Sequence, residues 1–93
     1  MDSPWKIRLS GRARRQLAEL PTKGMRAEVV QALRELRQEP WEANSAALQS
    51  HRMHRKVYLS RGYRIIYRIS EPHRVIFIDR IRPHDKVYSG FGD

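Results

Sequence analysis

Apolar and polar residues recur along the chain with two periods, one typical of β-strands and one typical of α-helices. Trp5, Ile7 and Leu9 alternate with Lys6 and Arg8, a period of two residues that is typical of a β-strand with one buried face. This segment is therefore predicted to be a first β-strand.

Two helices are predicted after this strand. Ser10 is a suitable N-cap for a first helix over Gly11–Leu20, which Pro21 ends. Thr22 caps a second helix, whose apolar residues recur at helical spacing and which ends at Pro40. The apolar stripe of this second helix consists of Met25, Val29, Leu33 and Leu36. The short connection predicts a helical hairpin whose joint apolar face packs on a sheet.

Strand alternation returns after residue 52. It predicts strands over Met53–Leu59 and Tyr63–Ile69, joined by a hairpin turn at Ser60–Gly62 in which Gly62 adopts the left-handed conformation. A last strand over Val75–Arg82 begins with residues that are apolar on both faces, as expected near the middle of a sheet. The segment between residues 41 and 51 has no clear period and is predicted to be a loop or a short turn of helix.

These elements give one domain over residues 1–93 of the α+β class. Its predicted order is β-α-α-β-β-β, an antiparallel sheet with the helical hairpin packed on one face.

Composition adds a strong positive charge to this fold. The chain has 19 Lys and Arg against 10 Asp and Glu, a formal charge of +9, which predicts salt-sensitive binding to nucleic acid or to an acidic protein. No stretch approaches the ~20 apolar residues that span a bilayer, and the first residues lack the features of a signal peptide, so we expect a cytoplasmic protein. The absence of cysteine excludes disulfides and thiolate catalysis.

The polar residues of the strands are the candidates for chemistry. Lys56, Arg64 and Arg82 lie on three neighbouring predicted strands, and alternation puts further polar residues on the same face. These further residues are His54, Tyr58 and Arg68. Guanidinium groups bind a phosphodiester through paired hydrogen bonds and stabilise its transition state, and tyrosine rings stack on unpaired bases. The alternative is an ordinary solvated sheet face that prevents edge pairing.

Other catalytic arrangements are poorly supported. His51 and His54 have a suggestive spacing, but alternation separates their faces and no cluster of carboxylates accompanies them, so we predict no metal site. A Ser-His-Asp triad is disfavoured because no serine lies at a strand-to-helix elbow.

Three segments of the chain resemble a known family. These are the helix segment Arg12–Leu17 ending at Leu20, the run Gly62–Ile69, and the pair formed by Arg82 and Val87–Tyr88. Together with the element order, they are similar to the RelE/ParE superfamily of toxins from toxin–antitoxin systems. The resemblance runs from about Trp5 to Tyr88 and implies a RelE-like fold.

The RelE-type branch of this family cleaves mRNA in the ribosomal A site without a metal ion or cofactor and uses the 2′-hydroxyl of the message as nucleophile. The resemblance implies that Arg64 holds the scissile phosphate and that Arg82 protonates the leaving 5′-oxygen or stabilises its charge. It implies that Tyr88 is the general base and that Lys56 neutralises phosphate and lowers the pKa of the tyrosine.

The chain departs from this branch at two positions. Gln49 occupies the place of a loop arginine, for which the nearby Arg52 is a possible substitute, and Tyr58 stands where a second lysine is found. The resemblance leaves room for His84 or His54 as an acid or base near neutral pH.

The family also implies partners and alternatives. A RelE-type toxin acts with the ribosome and mRNA, and it is held in a hetero-oligomer by a cognate antitoxin, an acidic chain that folds as it binds. ParE-type members instead inhibit DNA gyrase without being enzymes, and an inactive RNA-binding module is a third alternative. The sequence predicts a ribosome-dependent endoribonuclease toxin and leaves these two alternatives open.

Overall fold

The predicted α+β fold is confirmed, with one more strand than the sequence suggests. The computed structural model of the chain describes residues 5–41, 45–48 and 51–83. The strands are β1 (Lys6–Leu9), β2 (Ser45–Leu48), β3 (His51–Tyr58), β4 (Tyr63–Ser70) and β5 (Val75–Pro83). The helices are α1 (Gly11–Ala18) and α2 (Lys23–Gln38), and a short 3-10 turn covers Ser60–Gly62.

The strands form one mixed sheet in the order β1-β5-β4-β3-β2. β1 runs parallel to β5, and the other neighbours are antiparallel, so the sheet is antiparallel except at β1. The prediction of a loop or helical turn between residues 41 and 51 is wrong for Ser45–Leu48, which pairs with β3. Its alanines carry little β-propensity of their own, and the open edge of β3 supplies the hydrogen-bond partners that make this segment a strand.

Both helices begin where their capping residues predict. The Ser10 hydroxyl accepts a hydrogen bond from the Ala13 amide at 2.9 Å, and the Thr22 hydroxyl accepts one from the Met25 amide at 3.1 Å. In the part of the chain that the structure describes, neither helix has the length and apolar character needed to cross a membrane.

The core lies between the helices and one face of the sheet. The predicted apolar stripe of α2 is buried, together with Ala13 and Leu20 from the first helical segment. The sheet contributes Val57 from β3, Ile65 and Tyr67 from β4, and three isoleucines from β5. These isoleucines are Ile76, Ile78 and Ile81. The Tyr67 hydroxyl, fully buried with its ring, donates a hydrogen bond to the Pro40 carbonyl at 2.9 Å.

A bulge in β5 decides which side chains face away from this core. Ile66 pairs with Arg80 and Tyr67 with Ile78, so Asp79 is an extra residue on β5. Strict alternation from Ile78 would place Arg82 on the core face. Because the bulge shifts the alternation by one residue, Ile81 enters the core and Arg82 emerges on the opposite face.

The turn between β3 and β4 has two residues with positive φ. Gly62 has a φ of 78°, as predicted, and Arg61 adopts the same region with a φ of 62°. Glu28 of α2 fixes the turn, because its carboxylate accepts hydrogen bonds from the Ser60 amide at 2.7 Å and the Ser60 hydroxyl at 2.6 Å. These bonds lower the pKa of Glu28.

Candidate active site on the open sheet face

Three predicted site residues form a row across the sheet on the face opposite the helices. Tyr58 of β3 is the cross-strand partner of Arg64 on β4, and Arg64 is the cross-strand partner of Arg82 on β5. Cβ atoms of such partners lie about 5 Å apart. We call Tyr58, Arg64 and Arg82 the tyrosine–arginine row.

Arg64 stands at the centre of this row and is partly enclosed. Its Nε and Nη1 atoms are buried, and its guanidinium carbon lies 4.6 Å from the centroid of the Tyr58 ring. This distance is that of a cation–π contact, which holds the guanidinium over the ring. The side chain is therefore oriented by its neighbours before any ligand binds.

Tyr58 has two cationic neighbours and is still accessible. Its exposed fraction is 47%, and the Lys56 Nζ atom lies 5.6 Å from its ring centroid. Hydrogen bonding from Lys56 is the largest cause that lowers the pKa of Tyr58, and Arg64 acts in the same direction, while partial burial opposes both. The phenol thus loses its proton more readily than an isolated tyrosine.

Two further rows follow along the same face. Lys56 pairs with Ile66, and Ile66 pairs with Arg80, so the fully buried Ile66 provides an apolar floor between two cations. The next row joins His54 to Arg68, whose guanidinium carbon lies 4.8 Å from the Phe77 ring centroid.

Asp79, the bulge residue, holds two of these side chains. Its Oδ2 atom lies 2.7 Å from His54 Nε2 and 3.4 Å from Arg68 Nε. A groove of about 740 Å³ opens beside this cluster toward β1, and its lining includes Arg8, Arg14 and Arg68. The open face therefore continues into a basic groove.

The structure brings together six of the predicted site residues on one face. They are Lys56, Arg64, Arg82, His54, Tyr58 and Arg68. Arg52 lies on β3, but its side chain is outside the described part of the chain. Tyr88, His84 and Gln49 are also outside the described residues.

Sequence reasoning missed two residues of this face. Asp79 anchors His54 and Arg68, and Arg80 lies between the other cations, where burial first and then the charges of Arg12 and Arg82 lower its pKa. The spacing between Ile78 and Ile81 carried a signal for both, because core positions three residues apart in a strand, instead of two, indicate a bulge.

The arrangement can bind and polarise a phosphodiester. Two neighbouring guanidiniums match the oxygens of a phosphate through paired hydrogen bonds and stabilise the charge that develops on it. A phenol with a lowered pKa beside them can accept a proton. A cationic clamp and a proton acceptor are thus present within one row.

Solved structures of similar fold come from toxin–antitoxin systems. The RelBE2 toxin–antitoxin complex of Mycobacterium tuberculosis matches with 28% identity and a TM-score of 0.74, over 86% of this chain and 98% of the other. The intact RelBE complex of E. coli matches with 25% identity and a TM-score of 0.75, over 85% and 95%.

A third structure shows that the fold persists at lower identity. The YoeB/ParE toxin of Agrobacterium tumefaciens is 13% identical, with a TM-score of 0.76 over 85% of this chain and 98% of the other. No curated protein matches the chain in sequence. The sequence model described as "ParE toxin of type II toxin-antitoxin system, parDE" matches residues 7–88. The chain therefore belongs to the ParE toxin family, within the RelE/ParE superfamily of type II toxin–antitoxin systems.

Proposed function

We propose that this toxin is an endoribonuclease that cleaves mRNA on the ribosome and so inhibits translation. The 2′-hydroxyl of the message attacks the adjacent phosphorus, the bond to the 5′-oxygen breaks, and the products end in a 2′,3′-cyclic phosphate and a 5′-hydroxyl. The tyrosine–arginine row is the observation that supports the proposal, because it combines two phosphate ligands with a proton acceptor.

Arg64 and Arg82 are the proposed ligands of the scissile phosphate. Arg64 binds its non-bridging oxygens, since its guanidinium is fixed over the Tyr58 ring and lies at the centre of the row. Arg82, at the end of the row, protonates the leaving 5′-oxygen or stabilises its charge. Two guanidiniums at neighbouring strand positions repel each other, and a bound phosphate offsets that repulsion.

Tyr58 is the proposed acceptor of the 2′-hydroxyl proton among the described residues. Lys56 and Arg64 lower its pKa and so raise the fraction of phenolate at a given pH. The family resemblance implies Tyr88 as the alternative general base and His84 as an acid or base. Both are proposals about residues outside the described ranges.

The remaining polar side chains of the face are proposed to bind the RNA backbone. Arg68 and His54 lie one row below Lys56 and are joined by Asp79, and Arg68 also lines the basic groove toward β1. Arg52 belongs to the same proposal by its place on β3. Contacts of this kind position an RNA strand without reading its sequence.

An antitoxin and a cytoplasmic location belong to the same proposal. The RelBE structures of similar fold are complexes of a toxin with an antitoxin. A chain with a formal charge of +9 attracts an acidic partner, which supports a cognate antitoxin that forms a hetero-oligomer with this toxin.

A translation extract tests the proposed activity. We expect the purified protein to cut a reporter mRNA at discrete sites, read by primer extension, and to leave 2′,3′-cyclic phosphate ends. A message with 2′-deoxyribose at the cleaved position should stay intact, because it lacks the nucleophile. Intact unmodified messages at stoichiometric protein would contradict the proposal.

The second candidate function is inhibition of DNA gyrase without catalysis. The ParE description of the matching family favours it, because ParE-type members act on gyrase. A supercoiling assay with purified gyrase separates the two candidates. Loss of supercoiling together with unimpaired translation would replace the endoribonuclease by a gyrase inhibitor, and salt-dependent RNA binding without cleavage or gyrase inhibition would indicate an RNA-binding module.

A further inference from the structure

A second cationic site lies beyond the end of the tyrosine–arginine row, between α1 and the last residues of β5. A cleft of about 380 Å³ is lined there by Arg12, Arg15 and Glu19 of the α1 segment and by Arg82 of β5. We call it the α1–β5 cleft. Arg82 lines this cleft and is also a member of the row, so the two sites share one side chain.

The walls of the cleft are fixed by hydrogen bonds. Gln16 of α1 is buried, and its Oε1 atom accepts a hydrogen bond from the Ile81 amide at 2.6 Å. The Ser10 hydroxyl, which caps α1, also donates to the Asp79 carbonyl at 3.0 Å. These two contacts hold α1 in one register against β5.

The cleft concentrates positive charge. Arg12 and Arg15 are both exposed, and Arg12 also lines an adjoining hollow together with Arg80. Burial and the charges of Arg12 and Arg82 lower the pKa of Arg80. Glu19 is the acidic residue of the cleft lining, against the three arginines Arg12, Arg15 and Arg82. Such a group of like charges is stabilised when an anion enters between them.

We propose that the α1–β5 cleft binds a second backbone phosphate of the RNA strand, next to the phosphate that is cleaved, with Arg12 and Arg15 as its ligands. The proposal deepens the proposed function, since it extends the same RNA site from Arg82 onto α1. An RNA strand fits better than an acidic peptide, because the cleft shares Arg82 with the row that is proposed to hold the scissile phosphate. Arginine forks also match phosphate oxygens bidentately.

The test measures how binding depends on salt. The probe is a short single-stranded 2′-O-methyl oligoribonucleotide, which lacks the nucleophile and cannot be cut, and its affinity is followed by fluorescence anisotropy over a range of salt concentrations. The double variant Arg12→Gln/Arg15→Gln is compared with Lys23→Gln/Arg34→Gln, which removes the same charge from exposed positions of α2. Circular dichroism checks that both variants stay folded.

We expect Arg12→Gln/Arg15→Gln to bind more weakly than the control. Its slope of log affinity against log salt should be shallower by about 0.7 for each phosphate that the variant no longer binds. Equal affinities and slopes for the two double variants would overturn the proposal. So would a variant that binds RNA like the control but no longer binds polyglutamate, which would assign the cleft to an acidic protein.

The probe also separates this proposal from the proposed function. If the wild type has a steeper salt dependence than Arg12→Gln/Arg15→Gln but leaves messages intact, the phosphate site is supported and the proposed endoribonuclease activity is contradicted. If the wild type cuts messages but the two double variants bind RNA equally, the endoribonuclease activity is supported and the phosphate site in the α1–β5 cleft is contradicted.

Discussion

Tyr58 depends for its chemistry on its two cationic neighbours. An isolated tyrosine has a pKa of 10.0, and hydrogen bonding from Lys56 and Arg64 lowers the pKa of Tyr58 from that value. A lower pKa places more phenolate at the pH of the cell. The proposed proton acceptor is thus a tyrosine whose pKa is lowered by its neighbours.

The pH dependence of cleavage tests this role. We expect kcat/KM to rise with pH through the lowered pKa of Tyr58 and to level off below pH 10, because only the phenolate accepts the proton. Tyr58→Phe should remove this limb of the profile. Lys56→Gln should move it to higher pH, since the variant lacks the group that lowers the pKa most. A profile that is unchanged in Tyr58→Phe would show that another group is the base.

Arg82 should lower the free energy of unfolding rather than raise it. It faces Arg64 directly, and like charges at paired strand positions are destabilising by about 0.2–1 kcal/mol. We expect Arg82→Gln to keep or raise the free energy of unfolding in urea while its cleavage rate falls by about 100-fold or more. Arg34→Gln, on the exposed face of α2, is the control and should change neither quantity. A stability loss in Arg82→Gln would mean that the side chain is structural.

At the scale of secondary-structure elements, α1 closes the edge of β5 that β1 leaves open. β1 pairs with β5 only from Val75 to Ile78, and beyond that point the Ile81 amide is satisfied by Gln16 of α1. A buried glutamine thus replaces a strand partner, and this contact keeps the end of β5, with Arg82, in place.

Removal of this contact should therefore destabilise the fold. Gln16→Ala leaves the buried Ile81 amide without its acceptor, which costs about 1–3 kcal/mol in the free energy of unfolding. Urea denaturation measures the loss. Gln31→Ala, whose side chain is exposed on α2, should stay within about 0.5 kcal/mol of the wild type. Equal stabilities of the two variants would show that Gln16 does not support β5.

The sequence predicted most elements because their signals are local. The caps at Ser10 and Thr22, the α2 stripe and the alternation in β3 and β4 all depend on near neighbours in the chain. β2 could not be predicted, since its strand state is imposed by the edge of β3 rather than by its own residues.

The sequence predicted six residues that share the open sheet face, but not how they meet there. Alternation placed Tyr58 and Arg64 on one face, but the meeting of Arg64 with Arg82 depends on the bulge at Asp79, which reverses the alternation along β5. A bulge is a property of two paired strands, and a single strand sequence specifies it only weakly.

At the scale of the whole molecule, one face of the sheet forms the core and the other carries the candidate site. One face packs with both helices into the core, and the other carries the tyrosine–arginine row, the His54 and Arg68 pair and the basic groove. A chain of 93 residues has room for one core, and the second face is the one proposed to bind an anionic ligand. The excess positive charge, which repels itself in the free protein, is what such a ligand neutralises.

The single-turnover rate of mRNA cleavage on programmed ribosomes, compared between the wild type and Arg64→Ala, tests the central claim most directly. We expect the wild type to cut the message, Arg64→Ala to be slower by about 100-fold or more while it stays folded, and Arg34→Ala to match the wild type. Cleavage by Arg64→Ala at the wild-type rate would contradict the proposed role of the tyrosine–arginine row.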